Sequence, residues 1–352
     1  MYVQRAPAEP MARTKTHKTH RWEDLPDEDL LQVRIRDLGL EIPGSWIEPF
    51  VRRLGDELAA KGIACHPACY LADEWLTPDK IPVIGIPFCL AHPRLRTLEE
   101  TMMYEVEGGD PDTCMKLLRH ECGHALNYAY QLYRRTRWRE LFGRFSDTYS
   151  NSYSYQPYSR RFVIHLDDNY AQSHPDEDFA ETFAVWLTPD SAWRDKYRDW
   201  PVLKKLQYVD TVMHLIGDMH PAVTFRGPPP YSAARMTSTL AAHYERKRRI
   251  LGSEFQGYYD DSLRDLFAGD CVRSAPRASR LLRAHRARLV NNVTRWTGHR
   301  KFDIDQLVNR LAARCDALGL TAERPLEDIM VGLTAMVTAI ASNTLTVNRK
   351  QR

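Results

Sequence analysis

His120-Glu121-Cys122-Gly123-His124 is the stretch on which the reading of this chain turns. Met115-Lys116-Leu117-Leu118-Arg119 precede it and Ala125-Leu126-Asn127 follow it. On a helix, residues four apart lie on one face, one turn from each other. The two imidazoles can then grip one metal ion, with Glu121 beside them to take a proton from an attacking water. H-E-x-x-H is a short pattern, so its weight rests on its surroundings.

The surroundings predict a helix from about Pro111 to Tyr133. Asp110 is an N-cap residue, Pro111 suits the first helical position, and Asp112 belongs in a first turn. Met115, Leu118, Cys122, Ala125 and Leu126 recur at steps of three and four, an apolar stripe. Gly123 costs such a helix about 1 kcal/mol against alanine, which predicts close packing or a backbone approach near the metal at that point.

Two histidines hold zinc poorly, and hydrolytic sites add a third protein ligand. The run His174-Pro175-Asp176-Glu177-Asp178-Phe179-Ala180-Glu181-Thr182-Phe183-Ala184-Val185-Trp186-Leu187 is again a helix start followed by an apolar body, and Pro189 ends it. Glu177 and Glu181 stand one turn apart on one face. One carboxylate can bind the metal, and the other can accept the far N–H of a ligand imidazole. Carboxylates on so apolar a helix are costly to bury without such partners. Acidic residues favoured by the helix dipole are the plainer alternative. Asp178 is a rival ligand, one step off the shared face. Upstream, Ile81 to Leu90 reads as a short proline-bounded strand. It is either buried or an edge on which an extended peptide could add as a further strand.

Together, His120-Glu121-x-x-His124 and Glu177-Asp178-Phe179-Ala180-Glu181 resemble the gluzincin metallopeptidases. The resemblance is in particular to the bacterial zinc-binding metallopeptidase family, whose second motif has the form His-Pro-x-Glu-Asp-Phe-Ala-Glu-Thr-Phe-Ala. It extends over about residues 30–225, taking in Ile86-Pro87-Phe88, Tyr170-Ala171-Gln172-Ser173-His174 and the stretch from Trp200 to Asp210. It implies an α+β, zincin-like metallopeptidase domain with a small sheet and an active-site helix. It also implies one Zn2+ per chain on His120, His124 and Glu177, with Glu181 behind the ligands. The implied reaction is hydrolysis of a peptide or amide bond with Glu121 as general base, on a peptide or protein substrate. A tyrosine seven residues before the ligand glutamate also occurs among the gluzincins, and Tyr170 has that spacing ahead of Glu177. Tyr170 is thus the first candidate for an oxyanion donor, followed by His165 and His174 as substrate or oxyanion contacts.

With 352 residues the chain can hold one large domain or two. Residues 1–25 read as a disordered basic tail, with Met11 as an alternative start, and 26–226 as the zincin-like domain. Gly44 to Lys61 is an amphipathic helix, Ala64 to Trp75 and Val83 to Leu90 are strands, and Arg161 to Leu166 is extended. The tyrosine- and serine-rich stretch from Asp147 to Arg160 reads as a loop. Gly227-Pro228-Pro229-Pro230 is a linker, and 227–352 a mainly helical region with helices over Asp303 to Leu318 and Leu326 to Asn343.

The helical region carries Arg273, Arg277, Arg280, Arg283, Arg286, Arg288, Arg295, Arg300 and Lys301 with no acidic residue between Asp270 and Asp303. That pattern leaves a second function class open: a non-catalytic metal-containing protein whose arginine-rich helix binds an anionic partner, nucleic acid included. A purely structural metal site needs no base at Glu121, which favours hydrolysis. A net charge of +3 points to no overall field for nucleic acid. No apolar run approaches the roughly 20 residues that span a bilayer, and the first 20 residues lack the apolar core of a secretory signal. Seven scattered cysteines suggest reduced thiols in the cytoplasm. Cys65-His66-Pro67-Ala68-Cys69 lacks a matching second pair and reads as no metal site.

Overall fold

The computed structural model describes residues 22–103, 105–148, 156, 158–166, 169–251, 259–267 and 275–344. The motif helix runs Pro111–Ala129. Asp110 starts it: its Oδ1 accepts the backbone N–H groups of Asp112 and Thr113, both at 3.0 Å. It stops short of the expected Tyr133 because Gln131 takes a left-handed φ of 50°, and Leu132–Arg134 turn on as a 3-10 segment. The glutamate helix runs Pro175–Leu187, with His174 as its N-cap. There the imidazole Nδ1 accepts the N–H of Asp176 at 3.1 Å.

These two helices pack face to face, and Gly123 is the closest point. A β-carbon there would lie 2.9 Å from the Cα of Ala180 and 3.1 Å from the ring of Phe183. The close approach expected from the glycine is therefore backbone on side chain-free backbone. Residues Asp176 to Leu187 are all buried, as is the motif helix from Leu117 onward. A third helix, Glu48–Ala60, braces the motif helix from behind. Buried Arg119, next to His120, makes a two-pronged bond to Glu57, with Nε and Nη2 each 2.7 Å from a carboxylate oxygen. Glu57 also accepts from Arg53 at 3.0 Å. A fork-to-fork pair of this kind fixes direction as well as distance.

The sheet has two parallel strands, β1 (Ala68–Ala72) and β2 (Val83–Pro87), with Ala68 opposite Val83 and Ala72 opposite Pro87. Both are shorter than the sequence predicts. Every residue of β2 is buried, so it is not an open edge for a peptide. Its outer side is closed at Gly85, which exchanges both backbone bonds with Leu76, at 2.7 and 3.2 Å. Gly85 allows this because a β-carbon there would meet Leu76 at about 3.0 Å. The side of β1 is met by Ser232, which bridges Ala72. The segment Arg161 to Leu166 is irregular rather than a strand.

Buried apolar side chains form two clusters. The first gathers Trp22 through Ile216, together with Ala233, Leu240, Tyr244 and Phe302. The chain beyond Gly227-Pro228-Pro229-Pro230 thus re-enters the first core before the second begins. Trp22, inside the stretch expected to be a tail, is buried, and its Nε1 donates to the carbonyl of Leu38 at 3.0 Å. Residues 1–21 of that stretch, and most of the tyrosine-rich segment, lie outside the described residues.

The second cluster spans Leu263 to Ala341 on the helices Asp260–Phe267, Ala278–Ala284, Arg286–Thr297, Lys301–Ala317 and Leu326–Thr344. Architecture is therefore α+β with a helical C-terminal region. Several of its arginines are committed internally. Arg283 meets Asp316 at 2.6 Å, Arg286 meets Asp305 at 3.1 Å, and Arg300 meets Glu107 at 3.5 Å. Arg273 lies outside the described residues. Among the described residues no helix is long and apolar enough to cross a membrane.

Gly123→Ala tests the helix contact. Intrinsic propensity alone would stabilise the helix by about 1 kcal/mol. The added methyl meets backbone that cannot yield, and overpacking costs about 1–3 kcal/mol. The expected outcome is a lower thermal midpoint together with weaker metal binding, measured by calorimetry and chelator competition. An unchanged or raised midpoint would refute the close contact.

Candidate metal centre

The crossing of the two helices brings three ligand-type atoms together in a buried space. His120 Nε2 lies 3.0 Å from Glu177 Oε2, His124 Nε2 lies 3.1 Å from the same oxygen, and the two Nε2 atoms are 3.1 Å apart. His120, His124 and Glu177 are the group among the described residues whose donor atoms could hold one metal ion.

Each imidazole is oriented from its far side. His120 Nδ1 donates to Glu181 Oε1 at 2.8 Å, and Glu181 Oε2 accepts the backbone N–H of Leu166 at 2.9 Å. His124 Nδ1 donates to Asp176 Oδ2 at 2.9 Å. With both Nδ1 atoms so engaged, the two Nε2 atoms face each other and Glu177, where they could hold a metal.

That arrangement also tests whether a metal fits. Three acceptor-type atoms facing one another at 3.0–3.1 Å in a buried site repel unless positive charge sits among them. Two imidazoles and one carboxylate are the donor set of a catalytic zinc site with a position left open. The electrostatics agree. Burial disfavours charge on His120, but hydrogen bonds to Glu177 and Glu181 outweigh it and lift the imidazole to about 9. His124 is raised well above its ordinary value, the pull of Asp176 and Glu177 overcoming burial. Burial would raise Glu177, yet the two histidines hold it well below the usual carboxylate range. The pocket is built to stabilise a cation.

Glu121 is buried one residue along the motif helix from His120 and lines the same cleft, about 930 Å3 in volume. Its carbonyl accepts the hydroxyl of Thr77 at 3.0 Å, which pins the cleft-lining segment Glu74 to Ile81 to the helix. Tyr170 sits on the 3-10 turn Tyr170–Gln172 and also lines the cleft. Its ring lies 5.6 Å from that of His120.

His165 and His174 are not brought to the cleft lining. The Nε2 of His165 donates to the carbonyl of Lys116 at 3.0 Å. His174 is spent on the cap and on the carbonyl of Asp147, 2.9 Å from its Nε2. Asp178, the rival ligand, turns away to Lys205 at 2.5 Å. Burial pushes its carboxyl up to about 7 against the pull of that lysine.

Asp176 is the functional residue that the sequence reading passes over. Besides His124 it accepts Asn127 Nδ2 at 2.7 Å and the hydroxyl of Tyr128 at 2.6 Å. A signal for it existed. Two ligand histidines need two Nδ1 acceptors, and Glu181 supplies one.

Removing the carboxylates separately tells the roles apart. Glu177→Ala should abolish zinc binding. Asp176→Ala and Glu181→Ala should each keep a site weakened about 10–100-fold, read by competition against a chromophoric chelator. Equal and complete loss in all three would contradict the division into ligand and orienting groups.

No curated protein and no solved structure matches the chain. A family match covers the stretch that holds both helices, narrower than the span of about 30–225 taken in by the sequence resemblance. Residues 101–193 match the family described as Putative zinc-binding metallo-peptidase.

Proposed function

We propose that the protein is a zinc metallopeptidase of gluzincin type, hydrolysing a peptide or amide bond in a peptide or protein substrate. The observation that carries this reading is the convergence of His120 Nε2, His124 Nε2 and Glu177 Oε2 on one buried point, with Glu121 on the wall of the same cleft. Zn2+ on these three residues, one per chain, would acidify the attacking water and polarise the scissile carbonyl.

The protein's own groups do the rest. The carboxylate of Glu121 takes the proton from the attacking water and returns it to the leaving amine, acting as base and then as acid. Tyr170, beside His120, donates its phenolic hydrogen bond to the oxyanion as charge develops there. Glu181 and Asp176 hold the imidazoles in the ligating tautomer. Trp75, Leu76 and Phe145 give the cleft apolar walls that exclude water and suit peptide side chains. All six described cysteines are free thiols, which suits a reducing compartment such as the cytoplasm.

Glu121→Gln keeps the size and hydrogen bonding of the side chain but cannot take a proton. This variant should retain zinc and lose about 10²–10⁴-fold in turnover on a peptide selected from a quenched-fluorescence library. Tyr170→Phe should also retain zinc and lose at most about 10²–10³-fold. Full amide-hydrolysing activity in Glu121→Gln would end the peptidase reading.

A further inference from the structure

The chain after the proline run contributes a residue to the cleft that the reaction above does not use. Tyr231 follows Pro230, and both line the cavity that holds His120, Glu121 and Glu177. Its backbone takes a φ of +56°, in the left-handed region. Glycine and asparagine enter that region at little cost, whereas a bulky aromatic is a true outlier there. Such strain persists only where the surroundings impose it, and it gathers at functional sites.

Here the surroundings are explicit. Tyr70 on β1 donates its hydroxyl to the carbonyl of Pro230 at 2.8 Å. Ser232 bridges Ala72, the last residue of the same strand. Both neighbours of Tyr231 are thus pinned to β1, and the turn between them sets Tyr231 in the cleft lining. Tyr231 remains 40% exposed, so it is accessible to a bound chain. The Tyr70 phenol is pushed up first by burial and then by Asp73, Glu121 and Tyr231 together. Tyr231 therefore shares its surroundings with the general base.

We propose that Tyr231 is a substrate-binding residue of the metal cleft, donating its phenolic hydrogen bond to a backbone carbonyl of the bound peptide. The inference rests on the metallopeptidase reading. A backbone carbonyl is present at every residue of any peptide, so a hydrogen bond from the phenol holds the chain without selecting its sequence. The left-handed turn is what sets this residue in the cleft lining.

The test uses two probes on the full-length, zinc-loaded protein, with binding followed by calorimetry. Acetohydroxamate reports the metal alone. An N-blocked leucyl dipeptide hydroxamate reports the metal plus peptide contacts. Wild type should bind the peptide probe more tightly. Tyr231→Phe should weaken the peptide probe by roughly 2–10-fold, the scale of one neutral hydrogen bond, and leave acetohydroxamate unchanged. Tyr231→Gly should do the same or more, with a thermal midpoint no lower than that of wild type, because glycine suits the left-handed turn. Equal peptide-probe binding in wild type and both variants would overturn the proposal, as would a wild type that binds the two probes alike, and the metal reading would stand. A midpoint that falls in Tyr231→Gly without any loss of peptide-probe binding would make Tyr231 a structural residue. A wild type that binds neither probe would overturn the metal reading and this proposal with it.

Discussion

Three metal-binding-type atoms held about 3 Å apart in a buried space form the constraint around which the rest of this molecule is arranged. Without positive charge among them, whether protons on the imidazoles or a metal ion, His120, His124 and Glu177 would repel. They stay together because each is held from outside. Glu181 and Asp176 draw the two Nδ1 protons outward. Gly123 lets the two helices come close enough for the carboxylate to reach both rings. Arg119, locked to Glu57, steadies the turn on which His120 stands. Each of these contacts lies away from the reacting space, and each sets where the three atoms can be.

The glutamate helix is economical in this respect. Its first turns supply Glu177, which could hold a metal together with the two histidines, and the carboxylates that meet their Nδ1 atoms, Asp176 and Glu181. A helix N-terminus tolerates such a concentration of acid, since unpaired N–H groups and the helix dipole favour negative charge there. Asp178, in the same turn, shows the other solution: facing away from the metal group, it needs Lys205. Adjacent carboxylates on one helix therefore reach quite different partners, and the roughly 100° between neighbouring side chains decides which.

The C-terminal half is coupled to the cleft more closely than a linker and an appended domain would suggest. Ala233, Leu240 and Tyr244 complete the first core, and Phe302 reaches into it from the second helical region. Arg300, just ahead of Phe302, lines the cleft and pairs with Glu107 on its wall. The arginine-rich segment is accordingly divided. Some of its guanidiniums tie helices together, and one helps to shape the space where a substrate would lie.

Local pattern alone sufficed for the starts of the two helices, the Asp110 cap and the pairing of H-E-x-x-H with a downstream glutamate. A cap needs only its neighbours in sequence, and helical periodicity places residues four apart on one face in any fold. Gly123 was legible as a close approach for a similar reason, since a helix does not carry that cost idly. Asp176, the closed side of β2, the withdrawal of His165 and His174, and the return of the chain at Tyr231 were decided only by tertiary structure. Each depends on a partner more than 15 residues away, or on which side of a strand is already paired. The sequence determined which side chains could serve a metal and a base. The packing of one helix on another, and of the distant turn on β1, determined which of them come together at the cleft.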